Sequence, residues 1–273
     1  MKKPMTTFRS LMIASTVMLV LGSCNKDKLE ESIKDAKDST LGEQLFDDLQ
    51  DMSEEAATGE LISYKLEADQ LTYSSCAVKT HDTLSEPRVL TIDFGTGCIG
   101  NDGRMRSGLV TVTYTGPYAE PGHLHTITTT NYVVDGTQVE GTKTVFNEGL
   151  NAEGNIWFTI TVDATLTKQD GEVLQWQANR TREWIEGFGT PQRLDDIYLV
   201  RGSHSAQSSE GTSFTALILE PVRKVKACSW KTAGIVEVTK TDRPVKTINF
   251  GDGTCDNDAV VTVNGNDYAI QLN

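Results

Sequence analysis

No stretch of the chain is apolar over the roughly 20 residues that a membrane-crossing helix requires. The longest uncharged apolar run, Leu11 to Leu21, has 11 residues. Basic side chains are also scarce, 25 against 38 acidic ones, for a formal charge of −13. Such a balance argues against a nucleic-acid partner and against electrostatic adhesion to anionic lipid. The chain has no G-x-S-x-G, no H-E-x-x-H, no glycine-rich phosphate loop and no C-x-x-C pair. Nothing therefore points to an activated serine, a zinc hydrolase, a nucleotide site or a four-cysteine metal site. Carboxylates are abundant enough to supply a glycosidase pair, but sequence alone cannot place one. No catalytic residue and no cofactor is expected.

What is present begins at the N-terminus. Lys2, Lys3 and Arg9 precede the apolar run, and the small residues Gly22 and Ser23 precede Cys24. This is the layout of a cleaved secretory signal over residues 1–23. Leu21-Gly22-Ser23-Cys24 resembles a bacterial lipobox, which implies that Cys24 becomes the first residue and carries acyl chains. An ordinary signal with an incidental cysteine, or a membrane anchor, would be the alternatives. Each buried methylene contributes about 0.8 kcal/mol, so several chains hold a protein to a bilayer without a protein helix. Loss of the signal removes three basic residues and no acid, leaving 22 against 38. The membrane is thus expected to be reached through lipid on Cys24 alone.

With Cys24 assigned to lipid, Cys76, Cys98, Cys228 and Cys255 remain, an even set in an oxidising compartment where pairing is the default. Free thiols would be the alternative.

From Lys26 to Glu60 the chain carries twelve acids against four lysines. Its apolar residues fall at Leu29, Ile33 and Ala36, then Leu41, Leu45, Leu49 and Met52, with helical spacing. Gly42 and the group Asp38-Ser39-Thr40 are expected to divide this stretch into two short helices, with Ser39 or Thr40 as an N-cap. Residues 24–60 then form an acidic, partly helical tether, or a helix whose Leu45, Phe46 and Leu49 cover an open end of a sheet.

After Glu60 the period changes to two. Ile156, Phe158, Ile160, Val162, Ala164 and Leu166 alternate with a threonine-rich set, the mark of a half-buried strand. Asp135-Gly136, Asp170-Gly171 and Asn264-Gly265 are among the turn signals that separate such runs. No helical pattern intervenes, which excludes alternating βαβ units. Residues 61–273 are expected to be one mainly β domain, a long-stranded antiparallel meander forming a curved sheet, half-barrel or barrel.

One motif occurs twice. Cys76-Ala77-Val78-Lys79-Thr80 matches Cys228-Ser229-Trp230-Lys231-Thr232, and Val89 to Cys98 matches Val245 to Cys255, each strand ending in Phe-Gly before a glycine-rich turn. The duplication, over 76–98 and 228–255, favours pairing Cys76 with Cys98 and Cys228 with Cys255. Closing loops of this size stabilises a fold by roughly 3 kcal/mol each.

Three further groups of residues are candidates for chemistry. Asp93, Asn101 and Asp102 surround the first turn, and Asp252, Asp256, Asn257 and Asp258 the second. Calcium wants such oxygens, yet neither turn has D-x-D-x-D-G spacing, and ordinary turn chemistry uses the same residues. His123 and His125 lie two apart in an expected strand and would project from one face, without an acid or third histidine at matching spacing, so no metal site is expected. Trp157, Trp176 and Trp184 could stack on sugar rings, or could instead face the core, as the parity of Leu174, Trp176 and Ala178 suggests.

The lipobox, the acidic stretch, the threonine-rich strands and Asp93-Phe94-Gly95-Thr96-Gly97-Cys98 together resemble the cell-envelope lipoproteins abundant in Bacteroidota. Asn25-Lys26-Asp27 is partly similar to the lysine-plus-acid signals that send such lipoproteins to the cell surface. The resemblance implies an outer-membrane location, on the periplasmic or surface face, and carries over no activity and no binding residues. A lipid-anchored, non-catalytic binding or structural protein is expected. A carrier of lipid or another hydrophobe in a curved sheet, and a carbohydrate-binding surface protein, are the other readings.

Overall fold

The computed structural model describes residues 23–56, 73–190 and 192–272. Helix α1 (Ser23–Ala56) comes first, and its side chains are described at Glu30 and from Ile33 to Glu54. Leu21, Gly22 and the Cys24 side chain, on which the lipobox rests, lie outside the described set, as do residues 57–72.

Fourteen antiparallel strands follow in one sheet. They are β1 (Val78–Asp82), β2 (Arg88–Asp93), β3 (Cys98–Ile99), β4 (Met105–Tyr114), β5 (Leu124–Val134), β6 (Thr137–Leu150) and β7 (Ile156–Thr167), then β8 (Val173–Glu186), β9 (Ile197–Ser208), β10 (Ser213–Val225), β11 (Lys231–Lys240), β12 (Lys246–Asp252), β13 (Asp258–Val263) and β14 (Asn266–Gln271). Apart from β3, which pairs only with β4, each strand lies beside its neighbour in sequence. The sheet is a meander and does not close, since β1 and β14 are unpaired with each other.

The alternation in β7 is realised residue by residue, with Ile156, Phe158, Ile160, Val162, Ala164 and Leu166 buried and the intervening residues not. Two-residue turns set the register. Asp135-Gly136 joins β5 to β6, and Asn264-Gly265 joins β13 to β14, each with positive φ at both positions. That backbone matches the right-handed twist of the flanking strands and strongly favours Asn-Gly or Asp-Gly. Register shifts in β10 between Leu217 and Val222, around Pro221, and in β4 at Gly108 break the ladder locally. Such bulges bend a sheet. The bend brings both ends of the sheet to α1, which contacts β2 and β5 on one side and β11, β12 and β13 on the other.

One copy of the duplicated motif starts the meander, and the other lies near its far end, followed by β13 and β14. Cys76 is bonded to Cys98 and Cys228 to Cys255. In each copy the strand after the first cysteine pairs antiparallel with the strand that ends in Phe-Gly, β1 with β2 and β11 with β12. Phe94 and Phe250 are both buried. The Asp93 carboxylate accepts from Gly95 N–H at 2.7 Å, and the Asn249 amide oxygen accepts from Gly251 N–H at 2.9 Å, so even the turn is built the same way twice.

The expected division of the acidic stretch into two helices is not what forms. The helix is continuous through Gly42, and the reason is tertiary. A Cβ at Gly42 would sit 2.6 Å from the indole of Trp176, so glycine is present for close approach and not as a breaker. Ser39 and Thr40 do not cap either. Ser39 Oγ meets His204 Nε2 at 2.9 Å, and the Thr40 hydroxyl donates to the Lys37 carbonyl at 2.9 Å.

Candidate functional site

The site is the interior of the sheet, and α1 fills it. Leu45, Phe46, Leu49 and Met52 enter the hydrophobic core, as one of the two readings of this stretch required. Helices that bury one apolar stripe usually leave the opposite face in water. Here Asp48 to Glu54 are all buried, so the polar face is enclosed as well.

The enclosure is possible because cations project inward at positions that alternate with apolar residues along the strands. In β8, Leu174, Trp176, Ala178, Arg180, Arg182 and Trp184 are buried on one face. Lys143 of β6, Lys224 of β10 and Lys246 of β12 are buried on the same side. Taking a charge out of water costs several kcal/mol unless a partner and hydrogen bonds replace the solvent. The helix supplies those partners as a ladder.

Asp35 accepts from Lys240 at 2.9 Å and Lys246 at 2.7 Å. Asp38 accepts from Lys168 at 2.8 Å. Glu43 meets Arg180, His204 at 2.9 Å and Lys231 at 3.8 Å. Asp48 pairs with Arg104, and Asp47 lies 3.5 Å from Lys224. Asp51 pairs with Lys226 and lies 3.3 Å from Lys224, while Glu54 accepts from Lys226 at 2.5 Å and Arg182 at 3.3 Å. At 1.5 Å per residue, the ladder from Asp35 to Glu54 runs about 29 Å along the helix axis.

The pKa shifts follow from this packing. Burial alone would push Glu54 up, but Lys226 and Arg182 pull it down to about 2. Burial likewise opposes ionisation of Glu43, and Arg180 and His204 hold it well below the usual carboxylate range. Asp48 goes the other way, to about 6, because its burial outweighs the attraction of Arg104. Lys143 is lowered to about 8 by burial; its ammonium donates to the Phe46 carbonyl at 2.8 Å rather than to a carboxylate. A cavity of about 40 Å³ separates helix and sheet here, bordered by Lys143, Arg180, Arg182, Lys224, Glu43 and Asp51. Arg180 Nε and Nη1 are buried without a hydrogen-bond partner beside it. Most of these charges are thus spent on one another, with Lys143 and part of the Arg180 guanidinium the exceptions.

The other candidates disperse. Trp176 and Trp184 are 1% and 3% exposed, so neither presents a face to a sugar. Trp176 is stacked on His204 at 4.3 Å, and the Trp184 indole donates to Asp196 at 3.2 Å. Trp157 lies on the opposite, outer face of β7, so the three form no platform. His123 and His125 also part company. His125 is buried against Tyr114 and Tyr118, meets the Gly116 carbonyl at 3.0 Å, and is lowered by burial to about 4. His123 is part-exposed, 3.7 Å from Glu120.

The acidic turns are occupied by their own backbone and neighbours. Asp102 is held by Arg106 at 2.6 and 2.8 Å, the Asp252 carboxylate accepts from Thr254 N–H at 3.2 Å, and that of Asp256 accepts from Asp258 N–H at 3.0 Å. Among the described residues no three His, Cys, Asp or Glu are placed to hold a metal ion.

No protein-family model, curated protein or solved structure matches the chain. Among the described residues no helix is long and apolar enough to cross a membrane.

Proposed function

We propose that the chain is a lipid-anchored, non-catalytic protein of the cell envelope, held in the outer membrane by acyl chains on Cys24, with a binding or structural role. The lipobox supplies the anchor, and one structural observation supports the reading above the others: α1 begins at Ser23, beside the anchoring cysteine, and runs unbroken into the centre of the sheet. The 11 residues from Cys24 to the first ladder carboxylate, Asp35, amount to about 17 Å of helix. The anchor is thereby coupled directly to the folded domain, and most of the stretch that reads as a tether is an internal part of it.

A hydrophobe carrier fits this geometry less well. Its cargo would have to displace α1 and leave the inward cations unpaired, a loss of about 3–5 kcal/mol for each broken buried pair.

Radiolabelled palmitate tests the anchor. The full chain should take up label and fractionate with membranes, and a Cys24→Ser variant should take up none. Equal labelling of the variant would overturn the proposal.

A further inference from the structure

The two copies of the duplicated motif face each other. Tyr73, just before Cys76, and Asp102 and Arg104, just after Cys98, border the same cleft as Ser229 and Trp230, which follow Cys228. Leu41, Gln44 and Asp48 of α1 border it as well. Its volume is about 630 Å³, within the range of small-molecule sites.

The lining combines two chemistries. Trp230 is half-buried, but it is not among the hydrophobic residues packed against the core, and its indole N–H donates to no group among the described residues. An amphipathic ring in that state offers an apolar face and a donor to whatever enters. Around it lie planar, fixed polar groups. The Arg104 guanidinium is bracketed by Asp48 and by Asp135, the latter at 2.7 Å, and the Asp135 carboxylate also accepts from Met105 N–H at 3.0 Å. Groups held this way have little rotamer entropy left to lose on binding.

We infer that this cleft binds a neutral oligosaccharide. Sugar rings present an apolar C–H face to an aromatic ring and, at their rims, hydroxyls that both donate to carboxylates and accept from guanidinium or amide N–H. The lining provides each of these. Charge narrows the class: Asp102 is balanced by Arg106, and Asp48 and Asp135 against Arg104 leave the cleft net negative, which disfavours uronates and other anionic glycans. The aromatic platform is therefore Trp230, and not Trp157, Trp176 or Trp184. This inference is independent of the lipid on Cys24.

The test uses the full chain purified in detergent, on an array of neutral, anionic and amino glycans, followed by titration of the best neutral oligosaccharide with tryptophan fluorescence. Binding should be confined to neutral glycans and should perturb the emission. Trp230→Ala should lose about tenfold or more in affinity with an unchanged thermal melt, and Trp157→Ala should bind normally. Gln44→Ala, on the α1 side of the cleft, should weaken binding without abolishing it. No neutral glycan retained on the array, a preference for cationic peptides over sugars, or undiminished binding by a folded Trp230→Ala variant would each overturn the inference.

Discussion

Gly42 of α1 lies flat against the indole of Trp176, close enough that a methyl group would meet three ring carbons at 2.6–2.7 Å. In an exposed helix, replacing glycine by alanine gains about 1 kcal/mol. Here the added carbon must displace a ring that is 1% exposed and stacked on His204. Overpacking of that kind costs about 1–3 kcal/mol. Gly42→Ala is expected to lower stability by up to about 2 kcal/mol net in urea denaturation, and an increase in stability would refute the close-packed account of this position.

Two lysines on the same inner face should respond oppositely to the same substitution. Lys246 donates to Asp35, so Lys246→Met leaves that carboxylate with only Lys240 and should cost about 2 kcal/mol. Among the described residues no carboxylate lies at hydrogen-bonding distance from the buried Lys143, and its folded pKa, about 8, lies below the ordinary 10.5. Its charge is thus a liability at neutral pH, and the stability it contributes is present only above the ordinary pKa and is lost as pH falls through 8. Lys143→Met should leave stability at pH 7 unchanged or raise it by about 1 kcal/mol, after loss of the bond to the Phe46 carbonyl. Equal destabilisation by both variants would show that pairing along the ladder is irrelevant.

Stability should pass through a maximum in mildly acidic solution, because two carboxylates of α1 are shifted in opposite directions. Glu54 is lowered to about 2, so its contribution is present above about 4.5 and is lost as pH falls toward 2. Asp48 is raised to about 6, so its contribution is present below about 4 and is lost as pH rises through 6. Glu54→Gln should therefore be destabilised by about 3 kcal/mol at pH 7 and converge on the parent below pH 3. Asp48→Asn should be more stable than the parent at pH 7, by up to about 3 kcal/mol, and lose that advantage by pH 4. Denaturation curves at pH 3, 4, 5.5 and 7 decide the matter; parallel profiles for parent and variants would contradict both assignments.

The sheet was legible because its signals are local. Period-two alternation in β7, glycine-bearing turns and the repeated cysteine contexts each act over a few residues, and the strands, turns and both disulfides formed where those signals stood. The acidic helix was legible only in part: the Leu45, Phe46 and Leu49 face could be read from its spacing, but its continuity and the burial of its acids could not, because they are set by residues distant in sequence. Gly42 and Ser39 carry the marks of a helix break, and only Trp176 and His204 turn them into packing residues. One signal was available: Lys143, Arg180, Arg182, Lys224 and Lys246 occupy strand positions in phase with buried apolar residues, where a charge needs an opposite charge. Twelve acids on one preceding segment were that opposite charge. Trp230 was passed over for a similar reason, although it stands where the first copy of the motif has Val78, and Val78 is 70% exposed.

The ladder also fixes an order of events. Asp35 and Lys246 are 211 residues apart, and Glu43 and Lys231 are separated almost as widely. The helix is made first, yet its acidic face has no partner until strands from β4 to β12 have been synthesised and bent around it. Folding that waits on contacts so distant in sequence is slow. Until then the segment remains a highly charged polyanion that resists collapse, so α1 behaves as its own solubilising leader before it becomes the centre of the molecule.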